Sequence, residues 1–196
     1  MIRVAILASG SGSNARAIYA DVQEGGPYEV ALLMSNRASA PVLVWAETHG
    51  IPAFCWTNQE MANGSLLLRF LKDNTIDMVV LAGYLRLLPK EVVEAYAGRI
   101  LNLHPSLLPL HGGKGMYGKH VHEAVIASGD AQTGITIHLV NEEFDRGPIL
   151  EQVSIPVEPS DDADTLAEKI HALEHKVYPL AVRRLSETLL QQNHHG

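Results

Sequence analysis

In residues 77–82, Asp77 leads into Met-Val-Val-Leu-Ala82, an unbroken apolar run of strand length with no polar residue on alternate positions. A run of this kind fits a strand covered on both faces, and such strands belong to parallel sheets flanked by helices. Residues 4–8, 30–35, 51–54 and 100–103 also read as short strands, rich in apolar residues. Between them lie longer stretches with apolar residues at helical spacing, over 14–22, 40–49, 65–74 and 89–98. Gly50 is placed to stop the second of these and Pro89 to start the last. The alternation predicts repeated βαβ units, hence an α/β fold with a doubly wound, mostly parallel, Rossmann-like sheet that binds ligands along its strand carboxyl ends. Further on, Ile135, Ile137 and Leu139 alternate with Thr136, His138 and Val140, and 149–157 is a second β run. These two predict an antiparallel extension at one edge, preceded by a helix over 121–128 and followed by a long helix over 164–191 bent at Pro179.

With 196 residues and 46% hydrophobic content, the chain has apolar material for one sizeable core, so 1–196 is expected to be a single domain. A formal charge of −7 with scattered Lys and Arg argues against gripping many nucleic-acid phosphates. Cys55 is the only cysteine, which excludes an intrachain disulfide and a thiolate cluster and reads as a half-buried bystander. No apolar run approaches the roughly 20 residues of a membrane span, and the apolar start runs straight into glycines without the length of a signal segment. A cytoplasmic protein with no membrane partner is expected.

The first strand leads into Ser9-Gly10-Ser11-Gly12-Ser13-Asn14 at the start of a helix, where free N–H groups and the positive end of the helix dipole favour an anion. The turn lacks the lysine of a triphosphate loop and the third glycine of the dinucleotide fingerprint, since Ala15 follows Asn14. The second strand ends Ser35-Asn36-Arg37, without the acidic residue that would hold an NAD ribose; an NADP reading rests on Arg37 alone. A monophosphate is the ligand that fits best.

Asn102-Leu103-His104-Pro105-Ser106-Leu107-Leu108-Pro109 follows a buried strand, so Asn102 and His104, two apart, project to one side. An amide N–H and an imidazole side by side suit acyl transfer, in which an amine attacks a carbonyl and an oxyanion must be stabilised while protons move. Asp145, in the loop Phe144-Asp145-Arg146-Gly147-Pro148 between two predicted strands, is the leading acid to raise the histidine's pKa and relay protons.

These residues, with Val79-Val-Leu-Ala-Gly-Tyr-Leu-Arg-Leu-Leu88, Gly134-x-Thr136-x-His138 and Glu174-His175-x-x-Tyr178-Pro179, make the chain resemble the phosphoribosylglycinamide formyltransferase family over nearly its whole length. The resemblance implies transfer of the formyl group of 10-formyltetrahydrofolate, a co-substrate, to the amine of 5′-phosphoribosylglycinamide in purine biosynthesis. It implies that Gly12, Ser13 and Asn14 hold the ribonucleotide phosphate and that Glu174 meets the glycinamide end. Asn102 becomes the oxyanion donor, His104 the general acid or electrostatic stabiliser, and Asp145 the group that tunes it. Folate contacts fall to Leu85, Arg86, Leu87 and Leu88 and to the loop Asn141, Glu142, Glu143, Phe144 and Asp145. The expected partners are these two small molecules, with a homodimer left open.

Two departures from the family stand out. Leu110-His-Gly-Gly-Lys-Gly-Met-Tyr-Gly118 enlarges the link before Lys119-His120-Val121-His122, and no arginine in 59–64 matches one that often reaches the ribonucleotide. Lys114 or Lys119 is the expected substitute. Ten histidines raise a metal reading, but His120 and His122 diverge on a helix and no metal motif accompanies them, so no metal is expected. His122 and His138 read as hydrogen-bonded struts around the site, and His194 and His195 as part of a frayed tail. Rival readings are a 10-formyltetrahydrofolate hydrolase, which uses water in place of the amine, and a noncatalytic folate- or nucleotide-binding module.

Overall fold

A computed structural model describes residues 1–193; His194 and His195 lie outside the described residues. The strands are β1 (Ile2–Leu7), β2 (Tyr28–Ser35), β3 (Ala53–Cys55), β4 (Met78–Leu81), β5 (Ile100–His104), β6 (Gln132–Leu139) and β7 (Ile149–Pro156). The helices are α1 (Ser13–Gln23), α2 (Pro41–Thr48), α3 (Asn58–Met61), α4 (Gly64–Asp73), α5 (Lys90–Ala95), α6 (Lys119–Ser128) and α7 (Ala163–Asn193). The strands form one sheet in the order β3-β2-β1-β4-β5-β6-β7, parallel from β3 to β5 and antiparallel across β5–β6 and β6–β7. The doubly wound sheet and its antiparallel edge are as predicted.

Alternation along β1 shows why helices cover both faces. Val4 and Ile6 belong to one core cluster with Ala15 and Ile18 of α1, Val42 and Ala46 of α2, and Tyr178 and Val182 of α7. Ala5 and Leu7 point the other way, into a second cluster with Met61, Leu67, Leu71 and Val92 from α3, α4 and α5. Every one of these side chains is 1% exposed or less, so neither face of the strand is free to meet water.

Three details depart from the sequence expectation. The third strand begins two residues later than predicted, at Ala53, because Ile51 is still tied to the end of α2 through its N–H to the Ala46 carbonyl. Helix α3, a single turn, was not predicted; Thr57 and Glu60 close a reciprocal capping box around it. Cys55 is exposed rather than half-buried.

Two contacts bring the sheet to its site. The Tyr178 hydroxyl, fully buried on α7, reaches the carbonyls of Leu81 at 3.0 Å and Leu101 at 3.2 Å, tying α7 to β4 and β5 beside Asn102. The start of the long connection after β5 is fastened to the antiparallel edge. Thr136 Oγ1 donates to the Ser106 carbonyl and accepts from the Leu108 N–H, while Gln152 Nε2 donates to both Thr136 Oγ1 and the Leu108 carbonyl.

Candidate active site

One cleft of about 560 Å³ runs along the carboxyl ends of β1, β4 and β5. Its size lies within the range of small-molecule sites. At one end is the glycine turn. Gly12 takes a left-handed φ of +75°, and a Cβ there would sit 2.0 Å from Val42 Cγ2, so the turn can pack on α2 only with glycine at this point. The Ser9 hydroxyl donates to Asn36 Oδ1 and accepts from the Leu85 N–H, joining this turn to the segment of Leu85, Arg86, Leu87 and Leu88, all of which line the cleft.

In the middle, the β5–β6 ladder sets Asn102 opposite His138 and His104 opposite Thr136. The His138 ring tautomer follows from its partners. A carbonyl can only accept, so His138 Nδ1 donates to the Leu139 carbonyl at 3.0 Å, leaving Nε2 to accept from Asn102 Nδ2 at 3.0 Å. That bond fixes the Asn102 amide with its second N–H turned toward Asp145 Oδ1, 3.5 Å away. His138 Nε2 stands 3.7 Å from the same oxygen, an electrostatic contact rather than a hydrogen bond.

Asp145 adopts φ +54° in the loop between β6 and β7, a conformation that aspartate tolerates better than most residues. The loop closes tightly: a Cβ on Gly147 would lie 1.7 Å from the Leu139 carbonyl oxygen. Asp145 Oδ2 accepts from the Gly113 N–H at 2.9 Å and faces His104 Nδ1 at 3.5 Å. Burial works to raise the Asp145 carboxyl, but the His138 and His104 rings and the Gly113 N–H outweigh it, and its pKa falls below the ordinary value.

His104 behaves differently from the sequence expectation. Burial lowers its pKa more than the Asp145 charge and the His111 carbonyl raise it, so the net shift is downward from 6.5. At neutral pH the imidazole is therefore uncharged. Its Nε2–H points to the His111 carbonyl at 2.8 Å, which leaves the Nδ1 lone pair facing the carboxylate. The arrangement holds an unprotonated nitrogen beside an anion, which stabilises a proton arriving at Nδ1.

At the far side of the glycine turn, Glu174 on α7 is 5% exposed and accepts from Asn14 Nδ2 at 2.9 Å. Burial raises its pKa against the opposing effects of Asn14 and the His171 charge. Asn14 Oδ1 and His122 Nδ1 are buried and have no partner. His122 is therefore not the hydrogen-bonded strut expected; burial, with His171 and His104 nearby, pushes its pKa down to about 4. Glu174, Asn14 and His122 all line this end of the cleft, with the Asn14 amide oxygen and the His122 ring nitrogen buried just behind its surface.

Of the residues singled out by sequence, Gly12, Ser13, Asn14, Leu85, Arg86, Leu87, Leu88, Asn102, His104, His138, Glu143, Phe144, Asp145 and Glu174 line this cleft. Asn141 and Glu142 do not. Asn141 shapes the loop through Glu143 N–H and the Arg146 carbonyl, and Glu142 pairs with Lys90 at 3.3 Å. Lys114 lines the cleft, whereas Lys119 pairs with Asp164 at 2.6 Å outside it. Sequence reasoning missed His171, although its place one helical turn before Glu174 was a usable signal. Among the described residues no group of three or more His, Cys, Asp or Glu could hold a metal, and no helix is long and apolar enough to cross a membrane.

Known proteins share this architecture. The formyl transferase family model matches residues 2–182. Phosphoribosylglycinamide formyltransferase, chloroplastic, of Arabidopsis thaliana is 40% identical over 200 residues, covering 99% of this chain and 68% of that protein. The crystal structure of glycinamide ribonucleotide transformylase 1 from Symbiobacterium toebii superposes with a TM-score of 0.88 at 36% identity, covering 96% of this chain and 89% of the other. A formyltetrahydrofolate deformylase from Pseudomonas syringae gives a TM-score of 0.83 at 25% identity, covering 95% of this chain and 62% of its own. A match over nearly the whole chain, on a sheet whose fifth strand carries Asn102 and His104, and whose β6–β7 loop carries Asp145, into one cleft, establishes that the chain belongs to the formyl transferase family.

Proposed function

We propose that the chain acts as one formyltransferase domain, moving the formyl group of 10-formyltetrahydrofolate to the amine of 5′-phosphoribosylglycinamide. The observation that carries this reading is the continuity of a single cleft from the glycine turn at Gly12, Ser13 and Asn14, past Glu174, to Asn102, His104 and Asp145. The phosphate occupies the turn and the glycinamide end lies by Glu174, which brings the amine toward the reacting groups. The folate enters along Leu85, Arg86, Leu87 and Leu88, with Glu143 and Phe144 on the facing loop.

The neutral amine attacks the formyl carbon and the carbonyl electron pair moves onto oxygen. The Asn102 N–H not bonded to His138 leaves its long contact with Asp145 and donates to that oxyanion, and the proton that His104 Nδ1 takes up adds positive charge beside it. The proton released by the attacking nitrogen passes through water held at Asp145 to His104 Nδ1, and the Asp145 carboxylate stabilises the imidazolium electrostatically. Collapse of the intermediate restores the carbonyl, breaks the bond to the folate nitrogen and returns a proton to it. The products are the formylated ribonucleotide and tetrahydrofolate, and the sequence of steps uses no metal.

The likeness to a deformylase supports a second reading, in which water replaces the amine. Absorbance of 10-formyltetrahydrofolate, followed with and without the ribonucleotide, separates the two. Formyl loss that depends on the ribonucleotide and matches formation of its formylated product is expected; equal loss without the ribonucleotide overturns the transferase in favour of the hydrolase.

A further inference from the structure

His111 and Asp130 lie outside the cleft, yet they are connected to its central histidine. His111 has a left-handed φ of +51°, a conformation in which few side-chain-bearing residues rest unless something holds them. What holds it is Asp130, in the turn between α6 and β6: His111 Nε2 lies 2.6 Å from Asp130 Oδ2, with the two side chains 16% and 30% exposed. The His111 carbonyl in turn accepts from His104 Nε2 at 2.8 Å. The preceding residues are pinned independently, through Ser106 Oγ to the Leu110 carbonyl and through Thr136 and Gln152 to Leu108. Among the described residues, the His111–Asp130 contact is thus the one hydrogen bond that the His111 side chain makes to hold the residue whose carbonyl meets the imidazole.

We propose that His111 and Asp130 are positioning residues for His104: their contact fixes the His111 carbonyl, which holds the His104 ring in the Nε2–H tautomer with Nδ1 turned to Asp145. With that carbonyl free to swing, the neutral ring has no reason to keep its proton on Nε2. The carboxylate 3.5 Å from Nδ1 then draws the proton to that side. A ring in that tautomer has no lone pair facing Asp145, and the proton-accepting position of the mechanism is lost.

The inference rests on His104 serving as the proton-handling group, so its test includes a readout that requires no turnover. In protein labelled at histidine ring nitrogens and held at neutral pH, the His104 signals should show a pure Nε2–H tautomer. In Asp130→Ala they should move toward tautomer exchange, while Asp130→Asn, which keeps an oxygen acceptor for the His111 ring, should restore the original pattern. Formyl transfer should follow: Asp130→Ala lowers kcat about tenfold with both KM values within about twofold, and Asp130→Asn recovers most of it. His111→Ala should reproduce the Asp130→Ala result, since it removes the other half of the contact.

Unchanged His104 signals in both alanine variants overturn the inference, as does a loss of kcat that Asp130→Asn fails to recover. A rise in KM with kcat unchanged also overturns it, by assigning the contact to the following glycine-rich segment instead. Should wild-type protein transfer no formyl group, the function proposed above fails, while the tautomer measurement still decides the positioning claim.

Discussion

Replacing Asp145 with asparagine tests the electrostatic heart of the site with little change of shape. In the wild type, the carboxylate lies 3.5 Å from His104 Nδ1, and a unit charge pair at that distance interacts by about 4.7 kcal/mol at an effective dielectric constant of about 20. The carboxamide keeps a dipole and can still accept from the Gly113 N–H, so the loss is set at about half this value, roughly 2–3 kcal/mol. The barrier rises by that amount if the imidazolium exists in the transition state and not in the resting enzyme. The expected fall in kcat is then about 30- to 160-fold. Burial already holds the His104 pKa below its ordinary value and the Asp145 charge opposes that shift, so removing the charge lowers the pKa further. Any limb of the pH–rate profile governed by His104 should move to lower pH. Steady-state kinetics by folate absorbance, with melting temperature as a control for folding, supplies both readouts. A variant within about threefold of wild-type kcat, or one whose loss appears only in KM, refutes the argument.

Glu174→Gln should raise the ribonucleotide KM about tenfold or more and leave the folate KM unchanged, because the buried carboxylate faces the ribonucleotide end; titration of each substrate separately checks this. Lys114→Ala should raise the ribonucleotide KM, whereas Lys119→Ala should not, since Lys119 is paired with Asp164 outside the cleft. Gly12→Ala should abolish phosphate-dependent binding: its Cβ would sit 2.0 Å from Val42 Cγ2 at a φ of +75°, which forces the turn open, and calorimetry with the ribonucleotide reads the loss. His122, with a pKa near 4 in the folded chain against 6.5 for an ordinary histidine, stays neutral where an unfolded histidine gains a proton. Its contribution to stability is present above pH 6.5 and is lost as pH falls through 4; His122→Gln should show a shallower decline of melting temperature across that window.

The fold was legible because buried parallel strands announce themselves as unbroken apolar runs, and β4 is of that kind. The pair Asn102 and His104 was legible because strand periodicity alone puts them on one side. What sequence could not supply was the sign of a balance. Asp145 was expected to raise the His104 pKa, and it does act in that direction, but the burial created by residues far along the chain outweighs it. Asn141 and Glu142 were assigned to folate with their neighbours by the family resemblance, yet one bonds into the loop's own backbone and the other pairs with Lys90. Lys119 shows the same limit, because its partner Asp164 is 45 residues away and nothing local signals the pairing. Single-turn α3 was missed because its capping box closes over too few residues for any periodicity to show.

The antiparallel ladder between β5 and β6 has a bearing on how such a chain can diverge. Asn102 faces His138 and His104 faces Thr136 across adjacent strands, so a single inserted or deleted residue in either strand would exchange inward and outward faces and scatter the set. Near the site, room for gain and loss of length is therefore left in the stretch 114–118, after the Gly113 contact with Asp145, and in the early part of the loop 141–148, before Asp145. Acceptor preference can drift through those stretches over generations while the formyl chemistry keeps the same alignment.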